Sequence, residues 1–309
     1  MVKYVGFLHR RNTMIGLKRG TVKILPYDPL WEELGRSHCD RIEKALGPLA
    51  FKVVHVGSTS VRGLAAKPII DIAVGVGHFD RCIIDAMESA GYKYRSGLDT
   101  EKDMLFVEGD GEWRSAHVHV VGYMSIEWRN YVNFKHYLIA FPKARDAYAA
   151  LKTELAARYA NDRNAYTEAK AAFITHALRK AMVWSYLGKY IEAKIDRPIG
   201  YLHVKGDKQL LYPINYGYIP GVFGGDGEEL DVYCLGATQP LEQFTGKVIA
   251  IVHRADDVED KLVACSLGRD YDVHEICREI YFQEKFYDTT IETVNGQILH
   301  ISNGVENDS

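Results

Sequence analysis

Residues 212–236 read YPINYGYIPGVFGGDGEELDVYCLG, which sets Asp226, Glu228 and Asp231 within six positions, just before and into an apolar, β-rich run at 230–235. A second acidic segment, RADDVEDK at 254–261, carries Asp256, Asp257, Glu259 and Asp260 between two further β-rich runs. Strand direction ties the two segments together. Residues 230–235 lead away from the first acidic loop, the chain turns near 240–246, and residues 247–253 lead back. Antiparallel pairing of these two strands would deliver both acidic loops to one end of a sheet. That many carboxylates repel one another unless cations sit among them. Hard oxygen ligands beside phosphate suit magnesium. Each loop also has a plainer reading, DDVED as a solvated hairpin tip and Asp226-Gly227 as a turn.

Around these loops the texture is one of short strands. YIEAKI (190–195), GYLHV (200–204), KVIAIVH (247–253) and KLVACSL (261–267) are punctuated by Gly, Pro, Asp and Asn at intervals that suit a small barrel or sandwich. The pattern begins near 188–191. Upstream it differs. TVKIL (21–25) reads as a short strand, and Asp28-Pro29 opens a helix. Residues 51–56 and 69–76 are apolar and β-rich, and 116–121 alternates His and Val, so His117 and His119 share one strand face. From Pro142 to about Tyr190 the pattern is helical. Tyr148, Leu151, Leu155 and Tyr159 recur at helix spacing and read as core.

Between the two β-rich runs of this first half lies HVGSTSVRGLAAKPIIDIAVGV (55–76). A strand ending in Gly57-Ser58-Thr59-Ser60 can offer backbone N–H groups and hydroxyls to a phosphate, and Asp71 on the next strand can hold an associated metal. A polar loop with one satisfied aspartate is the alternative.

At 309 residues the chain is longer than one ordinary core fills, so two domains are expected. A formal charge of −3 gives no general attraction to nucleic acid or acidic membrane, and no basic-aromatic array favours nucleic acid. Five dispersed cysteines without a CxxC pair read as thiols in a reducing compartment. No apolar run approaches the roughly 18–20 residues that cross a bilayer, which makes the cytoplasm the default.

The C-terminal motifs carry a resemblance. Tyr212-Pro213-x-Asn215-Tyr216-Gly217-Tyr218-Ile219-Pro220, then Asp226-Gly227-x-x-x-Asp231-Val232 and Lys261-Leu262-Val263-Ala264, resemble the signature of family I inorganic pyrophosphatases over about 110 residues. The resemblance implies an OB-like barrel that binds Mg2+ and diphosphate. It implies metal ligands at Asp226 and Asp231 and at Asp256 or Glu259, and catalytic roles for Tyr216, Glu228, Asp231 and Lys261. Glu228 stands where that family has an aspartate implicated in activating water. Arg197, Lys205, Lys208 and Arg254 are the candidates for its basic clamps, and its Tyr-Lys pair is not evident in FQEKFY (282–287).

The N-terminal motifs carry another. GSTSVxGLAAKPIIDI, the strand with Arg114, His117 and His119, and Tyr166-x-x-x-Lys170-x-x-Phe173 resemble the GrpB family, regarded as part of the nucleotidyltransferase superfamily. This likeness covers about 21–185. It implies phosphate or nucleotide binding by Gly57, Ser58, Thr59, Ser60, Lys67, Arg114, His117 and His119, with magnesium at Asp71. The superfamily's usual Asp-x-Asp is Asp71-Ile72-Ala73 here, and Arg62 and Lys135-His136 depart from the common GrpB pattern.

Together these readings predict an α+β chain: a leader at 1–20 outside the fold, a GrpB-like mixed sheet with C-terminal helices at 21–188, a pyrophosphatase-type barrel at 189–300 and a flexible tail at 301–309. The expected function is magnesium-dependent diphosphate hydrolysis coupled to nucleotidyl transfer from a nucleoside triphosphate. A non-enzymatic nucleotide or phosphate sensor is the alternative. A homo-oligomer is compatible with the sequence, which does not set the oligomeric state.

Overall fold

The structure is a computed structural model that describes residues 15–96, 103–206, 208–224, 228–255, 260–302 and 305–308. The chain divides into two compact units, 1–178 and 179–309.

The first unit runs β1 (Leu17–Lys18), α1 (Leu30–Leu46), β2 (Ala50–Val56), β3 (Ile70–Val76), α2 (Arg81–Ser89), β4 (Lys93–Tyr94), β5 (Asp103–Glu108), β6 (Trp113–Arg114), β7 (Ala116–Gly122), α3 (Ile126–Ala140), α4 (Pro142–Arg158) and α5 (Arg163–Ala169). It ends in α6 (Ala171–Trp184), which crosses the division. Its main sheet has the order β2-β3-β7-β5-β4, with β3 and β7 parallel and the other pairs antiparallel. Period-two alternation sorts the two faces. Ile70, Ile72, Val74, Val118 and Val120 pack with Trp31 and Ile42 of α1 and Ile83 and Met87 of α2. Asp71, Ala73, His117 and His119 point to the opposite face, where Ala73 and Val121 pack against Trp128 of α3. One face is thus sealed by apolar burial, and the other presents its polar side chains.

Two details differ from the sequence expectation. TVKIL is not a strand: only Leu25 bridges, to Ala66, because the segment finds no continuous strand edge beside it. The expected leader enters the fold at its end, where β1 pairs antiparallel with β6.

The second unit runs β8 (Tyr190–Arg197), β9 (Leu202–Lys205), β10 (Lys208–Leu211), β11 (Asn215–Phe223), β12 (Glu229–Leu235), β13 (Gln243–Arg254), β14 (Lys261–Cys265), α7 (Val273–Glu284), β15 (Thr289–Thr293), β16 (Ile298–Ser302) and β17 (Val305–Asp308). Strands β14-β12-β11-β8-β13 form a ring that β13 and β14 close, a five-stranded barrel. Closure removes the sheet edges that a short β domain otherwise exposes. β13 serves three partners because it is long enough to divide its length: Gln243–Lys247 pair with β8, Ala250–Arg254 with β15, and Lys247–Val252 with β14, in a pairing whose register shifts between Val248 and Ala250. Val232, Ile251 and Leu262 fill one core cluster, while Tyr216, Val252 and Val263 pack with Ile276 and Ile280 of α7 in another.

The strands at 230–235 and 247–253 do not pair with each other as expected. β12 lies parallel to β14, and β14 is antiparallel to β13. The described residues that flank the two acidic segments on their C-terminal side, Asp231 and Lys261, lie side by side at one end of the barrel, since each stands at the start of one of two parallel strands; Asp226 and residues 256–259 lie outside the described residues. The expected flexible tail is likewise revised: β17 pairs antiparallel with β16, whose outer edge offers it unpaired backbone groups. Among the described residues no helix is long and apolar enough to cross a membrane.

Candidate functional site

In the barrel, the parallel β12–β14 register sets Val232 opposite Leu262, which brings Asp231 beside Lys261 one step earlier. The Lys261 ammonium, 3% exposed, donates to Asp231 Oδ2 and, at 2.8 Å, to the Tyr216 hydroxyl. Tyr216 donates to the same Asp231 oxygen. Tyr216 reaches it from the neighbouring strand, where Gly217 pairs with Val232. Arg197, at the end of β8, lies over the Tyr216 ring at 5.1 Å and donates to the Tyr212 hydroxyl at 2.6 Å.

Arg197, Tyr216, Asp231 and Lys261 line a cleft of about 460 Å3 that also takes in Asp196, Glu228 and Arg254. Burial pushes the Asp196 carboxyl up; Arg197 opposes the shift and Asp231 reinforces it. Asp196 was not singled out from the sequence, because in YIEAKIDRP nothing but its proximity to Asp231 across the barrel distinguishes it. Of the candidate clamps, Arg197 and Arg254 reach the cleft. Arg254 is committed to buried Glu284, at 3.0 and 2.5 Å, and Glu284 also accepts from Tyr233 and, at 2.9 Å, from Thr289. Lys205 and Lys208 are paired residues in the β9–β10 hairpin. Asp226, Asp256 and Glu259 lie outside the described residues.

Among the described residues no group of three or more His, Cys, Asp or Glu is gathered so as to hold a metal ion. The donor chemistry of the cleft nevertheless fits magnesium. Asp196, Glu228 and Asp231 are hard oxygen donors in one cleft with Arg197 and Lys261, so it offers carboxylates for a cation and cations for a phosphate. Asp260 faces elsewhere, bonded to Lys180 at 2.6 Å and His253 at 3.2 Å.

In the first unit, Gly57, Ser58, Thr59, Lys67, Asp71, His117 and His119 line one pocket of about 490 Å3 with Tyr148, Lys152, Arg163, Tyr166 and Lys170. Gly57 adopts φ +68°, and an added Cβ would stand 2.6 Å from Asp71 Oδ2. Asp71 is bonded to His117 Nδ1 at 3.2 Å. Burial raises its carboxyl, but the His117 bond and the charges of His117, His119 and Lys67 outweigh that and hold it low. His119 Nδ1 stands 3.6 Å from Asp103 on β5, and its ring lies 4.8 Å from that of Tyr131.

The three hydroxyls of the Gly57–Ser60 segment differ in role. Thr59 is buried and bonds His55 and the Ile69 carbonyl, while Ser60 donates to the Gly57 carbonyl at 2.7 Å. Ser58 alone meets a cation, Lys152, at 2.9 Å. Burial, reinforced by Lys170 and Lys67, pushes Lys152 down to about 7. The same causes push Lys170 down to about 8, burial first and then Lys67. Arg114 lines an adjoining cleft rather than this pocket. Sequence reasoning gave Lys152, Lys170, Arg163 and Asp103 no site role. Two signals were available: a lysine set into the buried stripe of Tyr148 and Leu155, and the place of Lys170 in the Tyr166-x-x-x-Lys170-x-x-Phe173 motif.

Comparisons with known proteins agree with this division. The inorganic pyrophosphatase family model matches residues 188–289, and the GrpB protein model matches residues 21–180. A UPF0157 protein of Pseudomonas aeruginosa is 35% identical over 167 residues, covering 52% of this chain and 68% of that protein. The glutamate-rich protein GrpB of Alkalihalophilus pseudofirmus is 30% identical over 173 residues, covering 54% of this chain and 99% of that protein. The crystal structure of the inorganic pyrophosphatase of Ehrlichia chaffeensis is similar at 16% identity and TM-score 0.29, over 35% of this chain and 88% of that one. With its first half matched end to end by such relatives, the chain belongs to the GrpB family, and it carries an inorganic pyrophosphatase-type domain behind the GrpB domain.

Proposed function

We propose that the barrel hydrolyses inorganic diphosphate with magnesium, and that the first unit binds a nucleoside triphosphate as a nucleotidyltransferase-type domain whose diphosphate product the barrel consumes. The observation that carries the first half is the meeting of Lys261, Tyr216 and Asp231 in a cleft that Asp196, Glu228 and Arg197 also line. Asp231, with Asp226 and Asp256 or Glu259, would hold the magnesium. When bound, that ion lowers the pKa of a water and offsets phosphate charge. Lys261 and Arg197 bind phosphate oxygens, Tyr216 orients one by its hydroxyl, and Glu228 accepts a proton from the attacking water at its carboxylate.

In the first unit, Ser58, Lys152, Lys170 and Lys67 support phosphate binding, and Asp71 supports a magnesium there. His117 already bonds Asp71, a role in orienting the carboxylate rather than ligating.

Phosphate release from diphosphate by the whole chain, with and without magnesium, is the test. Magnesium-dependent turnover that Asp231→Asn reduces by about 100-fold or more supports the proposal; release that ignores the substitution contradicts it. The rival reading, a binding-only sensor, is favoured by one feature. Lys261 and Tyr216 already neutralise Asp231, and Glu284 engages Arg254. Calorimetric binding of magnesium diphosphate without phosphate release would select the sensor.

A further inference from the structure

His117 and His119 stand two positions apart on one face of β7, and each meets a different aspartate. His117 faces Asp71 on β3, bonded at 3.2 Å. His119 meets the other flank of the strand. β5 pairs antiparallel with β7, setting Leu105 opposite His119 and Asp103 opposite Val121, so Asp103 is the diagonal neighbour of His119 on the same face. His119 Nδ1 and Asp103 Oδ2 are 3.6 Å apart, within ion-pair reach and just beyond a hydrogen bond. Such contacts are often long in a ligand-free site and tighten when the ligand is bound.

The pair is covered where the two side chains meet and open beyond it. His119 Nδ1 and Asp103 Oδ1 are buried, and among the described residues neither has a hydrogen-bond partner. Yet the His119 side chain is 22% exposed and lines the 490 Å3 pocket together with Ser58, Asp71 and Lys152, whereas Asp103 stays behind it. With Nδ1 covered, the ring edge that meets the pocket is the one carrying Nε2. Tyr131 of α3 lies against the imidazole at 4.8 Å and 31° and restricts its rotation. A carboxylate beside Nδ1 favours the neutral tautomer that carries its proton there, which leaves the Nε2 lone pair facing the pocket.

Nucleotidyl transfer needs a proton acceptor when the accepting group is an alcohol, whose oxygen must lose its proton as it bonds to phosphorus. The other titratable groups of the pocket are engaged otherwise. Asp71 is bonded to His117, and Lys152 directs its hydrogens to Ser58 and the Ala65 carbonyl. An anionic nucleotide keeps the lysines protonated.

We propose that His119 is the general base of the first unit, that Asp103 is its positioning residue, and that the group accepting the nucleotide is a hydroxyl. In this step the Nε2 lone pair of His119 takes the hydroxyl proton, and the oxygen forms a bond to the α-phosphorus. The bond from that phosphorus to the diphosphate oxygen breaks, and its electron pair leaves with the diphosphate. The imidazolium that results faces the Asp103 carboxylate, which offsets its charge. This inference rests on the nucleotidyltransferase reading of the first unit.

Two measurements on the full chain test it. The first is nitrogen NMR of histidine-labelled protein under conditions where the imidazole is neutral. The His119 signals, identified by their loss in His119→Gln, are expected to show a proton on Nδ1 and a bare Nε2, and Asp103→Ala should shift the population toward the Nε2–H form. A wild-type His119 with its proton on Nε2 overturns the proposal. The second follows nucleoside monophosphate formed from the four ribonucleoside triphosphates, labelled at the α-phosphate, with magnesium and with water as the accepting hydroxyl. His119→Gln should lower kcat about 100-fold or more and leave KM within about twofold. Added imidazole should restore part of the rate to His119→Ala. Asp103→Ala should lose about tenfold, and Asp103→Asn less, because its amide oxygen still accepts from Nδ1–H. The wild-type spectrum and the imidazole rescue keep the test sound where a variant folds poorly. A raised KM at unchanged kcat in His119→Gln makes this side chain a nucleotide ligand and overturns the proposal, as does unchanged turnover. If the wild-type chain forms no labelled monophosphate, the proposal fails, and calorimetry with each triphosphate then separates the two readings: binding preserves the nucleotide reading, and absence of binding ends it as well.

Discussion

Lys152 on α4 donates a 2.9 Å hydrogen bond to the hydroxyl of Ser58, 94 residues earlier in the chain, and another at 2.5 Å to the Ala65 carbonyl. Among the described residues the countercharge that acts on it is Asp71, which is weaker in effect than Lys170 and Lys67. The ammonium is therefore held in place by neutral acceptors among like charges, and a bound anion relieves the repulsion.

A pH dependence follows with a definite sign. Free Lys152 titrates at about 7, and an anionic ligand favours its protonated form. Affinity for AMP should be level below about pH 7 and then fall, approaching tenfold per pH unit, as the free lysine loses its proton. Folding stability moves the other way. The unfolded chain holds this proton more tightly, so the penalty on the folded state is full below 7 and relieved as pH rises toward 10.5. Lys152→Met should bind AMP about 10- to 100-fold more weakly. Its pH profile should also be flatter over this range. A wild-type affinity constant from pH 6 to 9 would count against the assignment.

Gly57→Ala tests the contact between the Ser58 loop and Asp71. The position has φ +68°, and the new methyl would stand 2.6 Å from Asp71 Oδ2 and 2.9 Å from its Cβ. Strain of about 1–2 kcal/mol is expected from the left-handed backbone alone. Asp71 must also shift, which breaks its 3.2 Å bond to His117. The measurable outcome is a lower denaturation midpoint together with weakened ligand binding; a variant as stable as the parent would contradict the described geometry.

Glu284→Gln probes the ion pair beneath the barrel cleft. The Glu284 and Arg254 side chains are 0% and 2% exposed, and the carboxylate also satisfies Tyr233 and Thr289. Removing the charge takes the Glu284 carboxylate from a buried guanidinium that it grips through two bonds, a loss of about 3–5 kcal/mol. Urea unfolding should show it as a lowered midpoint. Repacking both partners as Arg254→Met with Glu284→Leu should recover part of the loss, because no charge is then stranded.

The sequence carried the strand faces well. The His-Val alternation at 116–121 and the run at 69–76 put Asp71, His117 and His119 on one face, as period two requires. It carried strand pairing poorly. The expected pairing of 230–235 with 247–253 is replaced by parallel β12 and β14, with β14 antiparallel to β13, and it is this register that sets Asp231 beside Lys261. Local texture reveals where a strand runs but not which strand lies beside it. For the same reason Asp196 and Lys152 were missed, since each gains its role from a partner 35 or more positions away, Asp231 and Ser58 respectively.

His253 supplies a pH effect in the barrel. It sits on β13 with Nδ1 3.2 Å from Asp260 and Nε2 3.2 Å from Glu292, so in its charged form it bridges two carboxylates. Burial lowers its pKa and Lys180 opposes the charge, but the bonds to Asp260 and Glu292 and the Asp260 charge outweigh both and raise it above 6.5. A raised folded-state value means the stabilisation is fully present below 6.5 and is lost as pH rises through the folded value. Glu292 lies on β15 and Asp260 just before β14, so losing the imidazolium loosens the hold of β13 on both neighbours. The barrel should therefore unfold at lower urea as pH rises from 6 through neutrality, by about 1–2 kcal/mol. His253→Gln keeps hydrogen-bonding capacity but cannot charge, so its urea midpoint should vary less over that window. A variant that reproduces the wild-type pH slope would show that the histidine bridge is not its source.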